Sequence, residues 1–184
     1  PSLSALLYRL ATVLLLVTSI NAGASGQFSD STKDWSRIGA TARETGLPVI
    51  IVVTGDGCGH CERMRSEFLA DPRISSPLVE QAISAELRRD STGKIVDFDG
   101  ERIRSRVFLS RYDIFATPTL LFLDSTGVPL APPLVGFNDA ETYSELVSER
   151  LTEARSELQA RADQPAAAFA AAPHTIAGQA RQPP

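Results

Sequence analysis

Val49-Ile50-Ile51-Val52-Val53-Thr54-Gly55-Asp56-Gly57-Cys58-Gly59-His60-Cys61 is the stretch on which the reading of the fold turns. Its first half is an almost unbroken β-branched run, the composition of a central strand buried on both faces. Gly55-Asp56-Gly57 makes a loop. From residue 58 to 69 the apolar positions Cys61, Met64 and Phe68 recur at spacings of three and four, which predicts a helix. A strand therefore hands over to a helix at a pair of thiols, and these are the only two cysteines of the 184 residues. At a helix N-terminus, free backbone N–H groups and the macrodipole stabilise a thiolate. They lower the thiol pKa from about 8.5 into a range of roughly 3.5–7.5. One turn on, Cys61 can close a disulfide, so the pair predicts a dithiol–disulfide cycle with Cys58 attacking and Cys61 resolving. A static bridge or half a zinc site is the bland alternative. A structural zinc site needs about four ligands, and the only histidines are His60 and His174.

Composition bounds the rest. With 43% hydrophobic and 22% charged residues, the chain can bury a sizeable core. A net charge of −4 argues against a nucleic-acid surface. Near the amino end, Arg9 precedes an apolar stretch from Leu10 to Ile20 and then Ala22-Gly23-Ala24. That is the layout of a secretory signal over residues 1–24, with an uncleaved membrane anchor as the alternative. Export implies an oxidising compartment, the periplasm or the outside of the cell. Residues 25–32 read as a linker, and residues 162–184, rich in Ala, Pro, Gln and Gly, as a disordered tail.

Between these ends the pattern predicts one α/β domain over residues 33–161. Asp30 or Ser31 is the expected cap of a helix with Trp35, Ile38 and Ala42 on its buried face, ending at Gly46. Trp35 is expected as a core anchor. Asp71-Pro72 should end the helix that begins at Cys58. Residues 72–81 follow as a short helix burying Ile74, Leu78 and Val79, and residues 82–87 as a strand. Residues 90–100 suggest a small hairpin arm with Ile95, Val96 and Phe98. Residues 101–111 read as a helix with Ile103, Val107 and Phe108 inward, and Arg102, Arg104, Arg106 and Arg111 as its solvated face. Ser125-Thr126-Gly127 is a turn. Residues 130–137 form a strand that Pro132 and Pro133 mark as an edge. A last helix from Asp139 should bury Tyr143, Leu146, Val147, Leu151 and Leu158.

Two motifs together, Cys58-Gly59-His60-Cys61 and Ala116-Thr117-Pro118-Thr119 before Leu120-Leu121-Phe122-Leu123, resemble the thioredoxin superfamily. The dipeptide Gly59-His60 resembles that of protein disulfide isomerases and implies a redox-tuning role for both residues. The resemblance implies a thioredoxin-like fold, a central mixed sheet flanked by helices. It also implies that Pro118 is a cis-proline facing the thiols, and that Thr117 and Pro118 bind an extended substrate strand. The implied activity is that of an exported thiol–disulfide oxidoreductase, acting on exported proteins with thiols or disulfides, without a cofactor. A membrane redox partner is implied, and no nucleic-acid partner. The Thr117-Pro118 pair resembles the periplasmic isomerase branch, but no added dimerisation domain is encoded, so a monomer is expected. By analogy with disulfide isomerases at about −180 mV and thioredoxin at about −270 mV, an intermediate to oxidising potential is expected.

Two positions depart from the family pattern. Val52 stands where thioredoxins carry a buried acid that helps move the proton of the resolving thiol, which leaves Asp56 or a water to substitute. Gly57 stands where they carry a tryptophan. Phe115 and Phe137 are expected to form a shallow apolar rim. Soft-metal binding, with Cu(I) on Cys58, Cys61 and His60, and a periplasmic assembly protein that docks peptides are the competing functions.

Overall fold

A computed structural model describes residues 33–164. The expectations for the signal, the linker and most of the tail lie outside these residues. Helix α1 (Trp35–Thr45) is capped by Asp34, whose carboxylate accepts from the Arg37 N–H, rather than by Asp30 or Ser31. It stops at Gly46, which adopts φ +68° and donates its N–H to the Ala42 carbonyl, the usual glycine stop. Strand β1 (Val49–Thr54) is buried along its whole length. The redox helix runs from α2 (Gly59–Arg63) into a π-helical turn (Met64–Leu69).

Asp71 does more than end that segment. It caps α3 (Pro72–Gln81), accepting from the Arg73 N–H at 3.0 Å, with Pro72 in the first turn. The Arg73 side chain holds the Asp71 carboxyl below the usual range. Strand β2 (Ile83–Arg88) follows, then β3 (Lys94–Val96) and β4 (Arg102–Arg104), α4 (Ser105–Arg111), β5 (Thr119–Leu123), β6 (Pro129–Val135) and α5 (Ala140–Asp163).

The four-stranded sheet has the order β2-β1-β5-β6. Strand β1 runs parallel to β2 and antiparallel to β5, and β5 pairs antiparallel with β6. Successive side chains of β1 leave on opposite faces, which accounts for its uniformly apolar composition. Val49, Ile51 and Val53 pack with Trp35, Ile38, Phe108 and Leu109 of α1 and α4. Ile50 and Val52 pack with Met64, Phe68, Leu78, Tyr143, Val147 and Leu151 of the redox helix, α3 and α5. The expected mixed sheet between helices is present.

Several local expectations fail. Strands β3 and β4 form a separate two-stranded arm. Arg102-Ile103-Arg104 therefore belongs to a strand, and α4 starts only at Ser105. This shifts the helical phase, so Leu109 is buried while Val107 is 47% exposed. Arg111 is not merely solvated, for its guanidinium pairs at 2.7 Å with Asp97, which is 1% exposed. In α5, capped by Asp139, the buried row is Tyr143, Val147, Leu151 and Ala154. Leu146 lies off that row and is exposed, and Leu158 is only partly buried. The helix continues through Asp163, past the expected start of the tail at residue 162. Ile74 is partly buried and Leu78 fully so; the side chain of Val79 lies outside the described residues.

The β5–β6 turn carries a pH-dependent contact. Asp124 accepts from the Thr126 and Val128 N–H groups, and Gly127 takes φ +85°. The Tyr112 hydroxyl donates to the Gly127 carbonyl at 2.6 Å. Burial pushes the Tyr112 phenol up to about 12. A raised folded-state pKa means stability that is complete below the unfolded value near 10 and is lost as pH rises through about 12. Urea midpoints measured from pH 8 to 12 should therefore fall more steeply in the wild type than in Tyr112→Phe. Tyr143, whose phenol burial also raises, supplies the fall that remains. Parallel curves would show that Tyr112 is not a source of the alkaline loss.

Candidate active site

The sequence leading into the redox helix is all turn and cap. Gly57 takes φ +65°, a left-handed conformation that only glycine adopts without strain. Cys58 then occupies the N-cap of α2 with extended backbone. The Cys61 N–H is directed at two acceptors on Cys58, the carbonyl at 3.0 Å and Sγ at 3.1 Å. A donor aimed at sulfur favours the thiolate over the thiol. Cys58 and Cys61 are joined by a disulfide, with Cα atoms 5.2 Å apart. Exposure separates the two, since Cys58 is half-buried and Cys61 is 1% exposed.

Thr117 and Pro118 stand across from the sulfurs, in the segment that leads into β5. The Thr117–Pro118 peptide bond is cis. The Thr117 carbonyl oxygen lies 3.5 Å from Cys58 Sγ, so in the dithiol state the Cys58 S–H has an acceptor there. The end of β1 approaches Thr117 closely: a Cβ on Gly55 would come within 3.1 Å of Thr117 Oγ1. A larger residue at position 55 would press on the Thr117 side chain and make it give by a few tenths of an ångström. The Pro118 carbonyl accepts from the Gly136 N–H at 2.8 Å, which ties this segment to the loop after β6.

Gly59 and His60 are both exposed. The imidazole Nδ1 lies 3.0 Å from the Phe137 carbonyl oxygen. The ring of Phe137 itself is 2% exposed and packs edge-to-face on Tyr143 at 5.0 Å. Of the expected apolar rim, only Phe115 remains at the surface, 80% exposed. Asp56 is exposed and pairs with Arg88, so it is not a buried acid beneath the thiols. Among the described residues no group of three or more His, Cys, Asp or Glu side chains is placed to hold a metal ion. His174 lies outside the described residues.

The sequence reading missed one network beside the redox helix. Glu86 lies in register with Val52 on the adjacent strand, on the face that carries the redox helix. Its Oε1 accepts from Thr54 Oγ1, at the end of β1, and from Arg65 Nη2, four residues after Cys61. Thr54 is 2% exposed and the Glu86 side chain 20% exposed. The carboxylate thus braces the strand exit against the helix, where a buried charge requires such partners. Its only trace in the sequence is a single acid in the strand of residues 82–87, between the apolar Ala85 and Leu87, where the alternation reads as a polar-facing position.

The comparisons with known proteins agree with this architecture. The thioredoxin-like domain family matches residues 39–150. Over 102 residues the chain is 29% identical to the thiol:disulfide interchange protein DsbD of Ralstonia nicotianae, covering 55% of this chain but only 15% of that much longer protein. A thioredoxin-fold protein from Helicobacter pylori superposes with a TM-score of 0.53 at 16% identity, over 77% of this chain and 95% of the other, a likeness of fold alone. By its matched residues, its mixed sheet and its Cys58–Cys61 pair, the chain belongs to the thioredoxin-like domain family.

Proposed function

We propose that the protein is a thiol–disulfide oxidoreductase that exchanges disulfides with exported protein substrates through Cys58 and Cys61. The observation that carries this reading is the asymmetry of the pair. A half-buried Cys58 sits beneath the Thr117 carbonyl, and a buried Cys61 is already bonded to it.

In the reducing direction, the Cys58 thiolate attacks a substrate disulfide. One substrate sulfur leaves as a thiolate and takes up a proton, and a mixed disulfide joins Cys58 to the other. Cys61 then loses its proton and attacks Cys58 Sγ. The second substrate thiolate departs, and the two electrons gained by the substrate are those lost in forming the Cys58–Cys61 bond. The oxidising direction is the same sequence reversed. The Thr117 backbone and Pro118 bind the substrate as an extended strand beside the sulfur, with Phe115 as the apolar contact next to it. Gly59 and His60 tune the potential of the pair. Protonated imidazole favours the Cys58 thiolate and so makes the disulfide easier to reduce.

The signal layout of residues 1–24 supports a periplasmic or secreted location, with membrane anchorage if that segment is retained. Among the described residues no helix is long and apolar enough to cross a membrane. A reductase in an oxidising compartment needs a source of electrons, and we assign that role to a membrane redox partner. The likeness to a thiol:disulfide interchange protein supports such a place in a relay. The protein acts as a monomer, without a cofactor.

The test is direct. Wild-type protein should accelerate the dithiothreitol-driven precipitation of insulin, and its dithiol should equilibrate with a glutathione series at a single two-electron potential. No acceleration, together with a disulfide inert to glutathione, would refute the assignment. The potential also decides direction, since a value near −180 mV favours oxidation or isomerisation and one near −270 mV favours reduction.

A further inference from the structure

Three consecutive residues after β6, Gly136-Phe137-Asn138, are tied to both walls of the redox site. On one side the Gly136 N–H donates to the Pro118 carbonyl at 2.8 Å. On the other, the Phe137 carbonyl lies 3.0 Å from His60 Nδ1, and the Asn138 carbonyl accepts from Arg63 Nη2 at 2.9 Å. The Arg63 guanidinium also stands 5.7 Å over the Phe137 ring. It is held there by a two-point contact with Glu67, at 2.9 and 3.0 Å. Since Thr117 O lies 3.5 Å from Cys58 Sγ, the contacts close a ring. It runs from Cys58 across to Thr117-Pro118, on to Gly136-Phe137, and back through His60 to the redox helix.

The chemistry of the His60 contact fixes its character. A backbone carbonyl only accepts, so Nδ1 must carry the hydrogen. That hydrogen is present in one neutral tautomer and in the cation alike. The contact therefore does not need a charged ring, and the donor that holds the loop is separable from the redox-tuning role proposed for the side chain.

We propose that His60 and Arg63 are positioning residues that latch the Gly136-Phe137-Asn138 loop to the redox helix and thereby set the distance between the Thr117 carbonyl and Cys58. The proposal rests on the oxidoreductase reading for its consequence in turnover. The latch itself is readable without any turnover. A protein substrate needs the Thr117 strand held in place beside the sulfur. A small disulfide needs only the sulfur. Loss of the latch should therefore raise KM for proteins and leave exchange with glutathione almost unchanged.

Four variants of the full chain decide the matter: Arg63→Ala, Arg63→Lys, His60→Ala and His60→Asn. The side chains replaced are at the surface, and thermal melts verify that each variant is folded. The asparagine amide can place an N–H near the position of Nδ1–H without an ionisable ring. Expected for Arg63→Ala is a rise in insulin KM of roughly three- to tenfold with an unchanged kcat and an unchanged potential. Arg63→Lys, which keeps a donor but not the fork, should fall between it and the wild type. His60→Ala should raise KM and shift the potential as well. His60→Asn should restore KM but not the potential. Hydrogen exchange at the Gly136 amide should be faster in Arg63→Ala and His60→Ala, and close to wild type in His60→Asn.

Wild-type KM and wild-type Gly136 exchange in Arg63→Ala would overturn the latch, as would equal KM values in His60→Ala and His60→Asn. A wild-type protein that exchanges no disulfides would instead overturn the oxidoreductase reading. Gly136 exchange would then still report whether the two side chains hold the loop.

Discussion

Cys58→Ser is expected to lose disulfide exchange by on the order of 10³-fold or more, because a serine hydroxyl at neutral pH is no substitute for a thiolate nucleophile. Three features concentrate the chemistry on this one sulfur. It is the half-buried member of the pair, whereas Cys61 is 1% exposed and beyond the reach of a folded or extended substrate. It receives the Cys61 N–H at 3.1 Å, a donor that is worth more to a thiolate than to a thiol. And it faces the Thr117 carbonyl at 3.5 Å, the backbone against which a substrate strand is proposed to lie. Cys61→Ser should behave differently. Its Cys58 still attacks, but nothing resolves the mixed disulfide. Substrates should then accumulate as covalent adducts visible on a non-reducing gel and released by dithiothreitol. Insulin turbidity and adduct trapping measure the two variants separately. Turnover retained by Cys58→Ser, or adducts formed through residue 61 in that variant, would reverse the roles or remove them.

The parts of this site that were legible from the chain are those written in local chemistry. Two thiols at a strand-to-helix junction, a β-branched run before them and a Thr-Pro pair before an apolar strand each announce themselves in a few consecutive residues. What escaped were contacts made by the fold. Glu86 gains its place only through the parallel register of β2 with β1, which sets it beside Val52 and within reach of Thr54 and Arg65. No spacing along the chain encodes that. Phe137, at the end of the strand expected over residues 130–137, read as a rim residue. The chain turns it inward instead, against Tyr143, and offers its backbone carbonyl to the site. The second strand of the arm was missed for a different reason. Arg102-Ile103-Arg104 alternates over only three residues, too few to outweigh the helical spacing of Ile103 and Val107. Pairing with Lys94-Ile95-Val96 decided it. Of the two substitutes left open for the missing acid, Asp56 is carried outward by its loop to Arg88, into solvent.

Trp35→Ala is expected to be the most damaging change away from the sulfurs. Trp35 opens α1 directly after its cap, is 0% exposed, and stacks on Phe108 of α4 with ring centroids 5.6 Å apart. It thus joins α1 to α4 over the face of the sheet that bears Val49, Ile51 and Val53. Truncation removes a large aromatic surface and leaves a cavity between elements that cannot all collapse inward, a loss of about 3–5 kcal/mol. One term acts the other way. The indole Nε1 has no hydrogen-bond partner among the described residues, so its removal relieves a buried unpaired donor, and the net cost falls toward the lower end of that range. For a domain of this size that corresponds to a drop in Tm of roughly 10 °C or more, a large share of a typical total stability of about 5–15 kcal/mol. The redox helix packs on the opposite face of the sheet, with Met64 and Phe68 against Ile50 and Val52. Below its own melting transition, Trp35→Ala should therefore keep the wild-type reduction potential and the wild-type order of reactivity of its thiols. Melting curves in the oxidised state and a glutathione titration at low temperature test both halves. A Tm lowered by only a degree or two would show that α1 contributes little to the core. A shifted potential at unchanged fold would show that the sheet transmits strain from that layer to Cys58, contrary to the separation of the two cores.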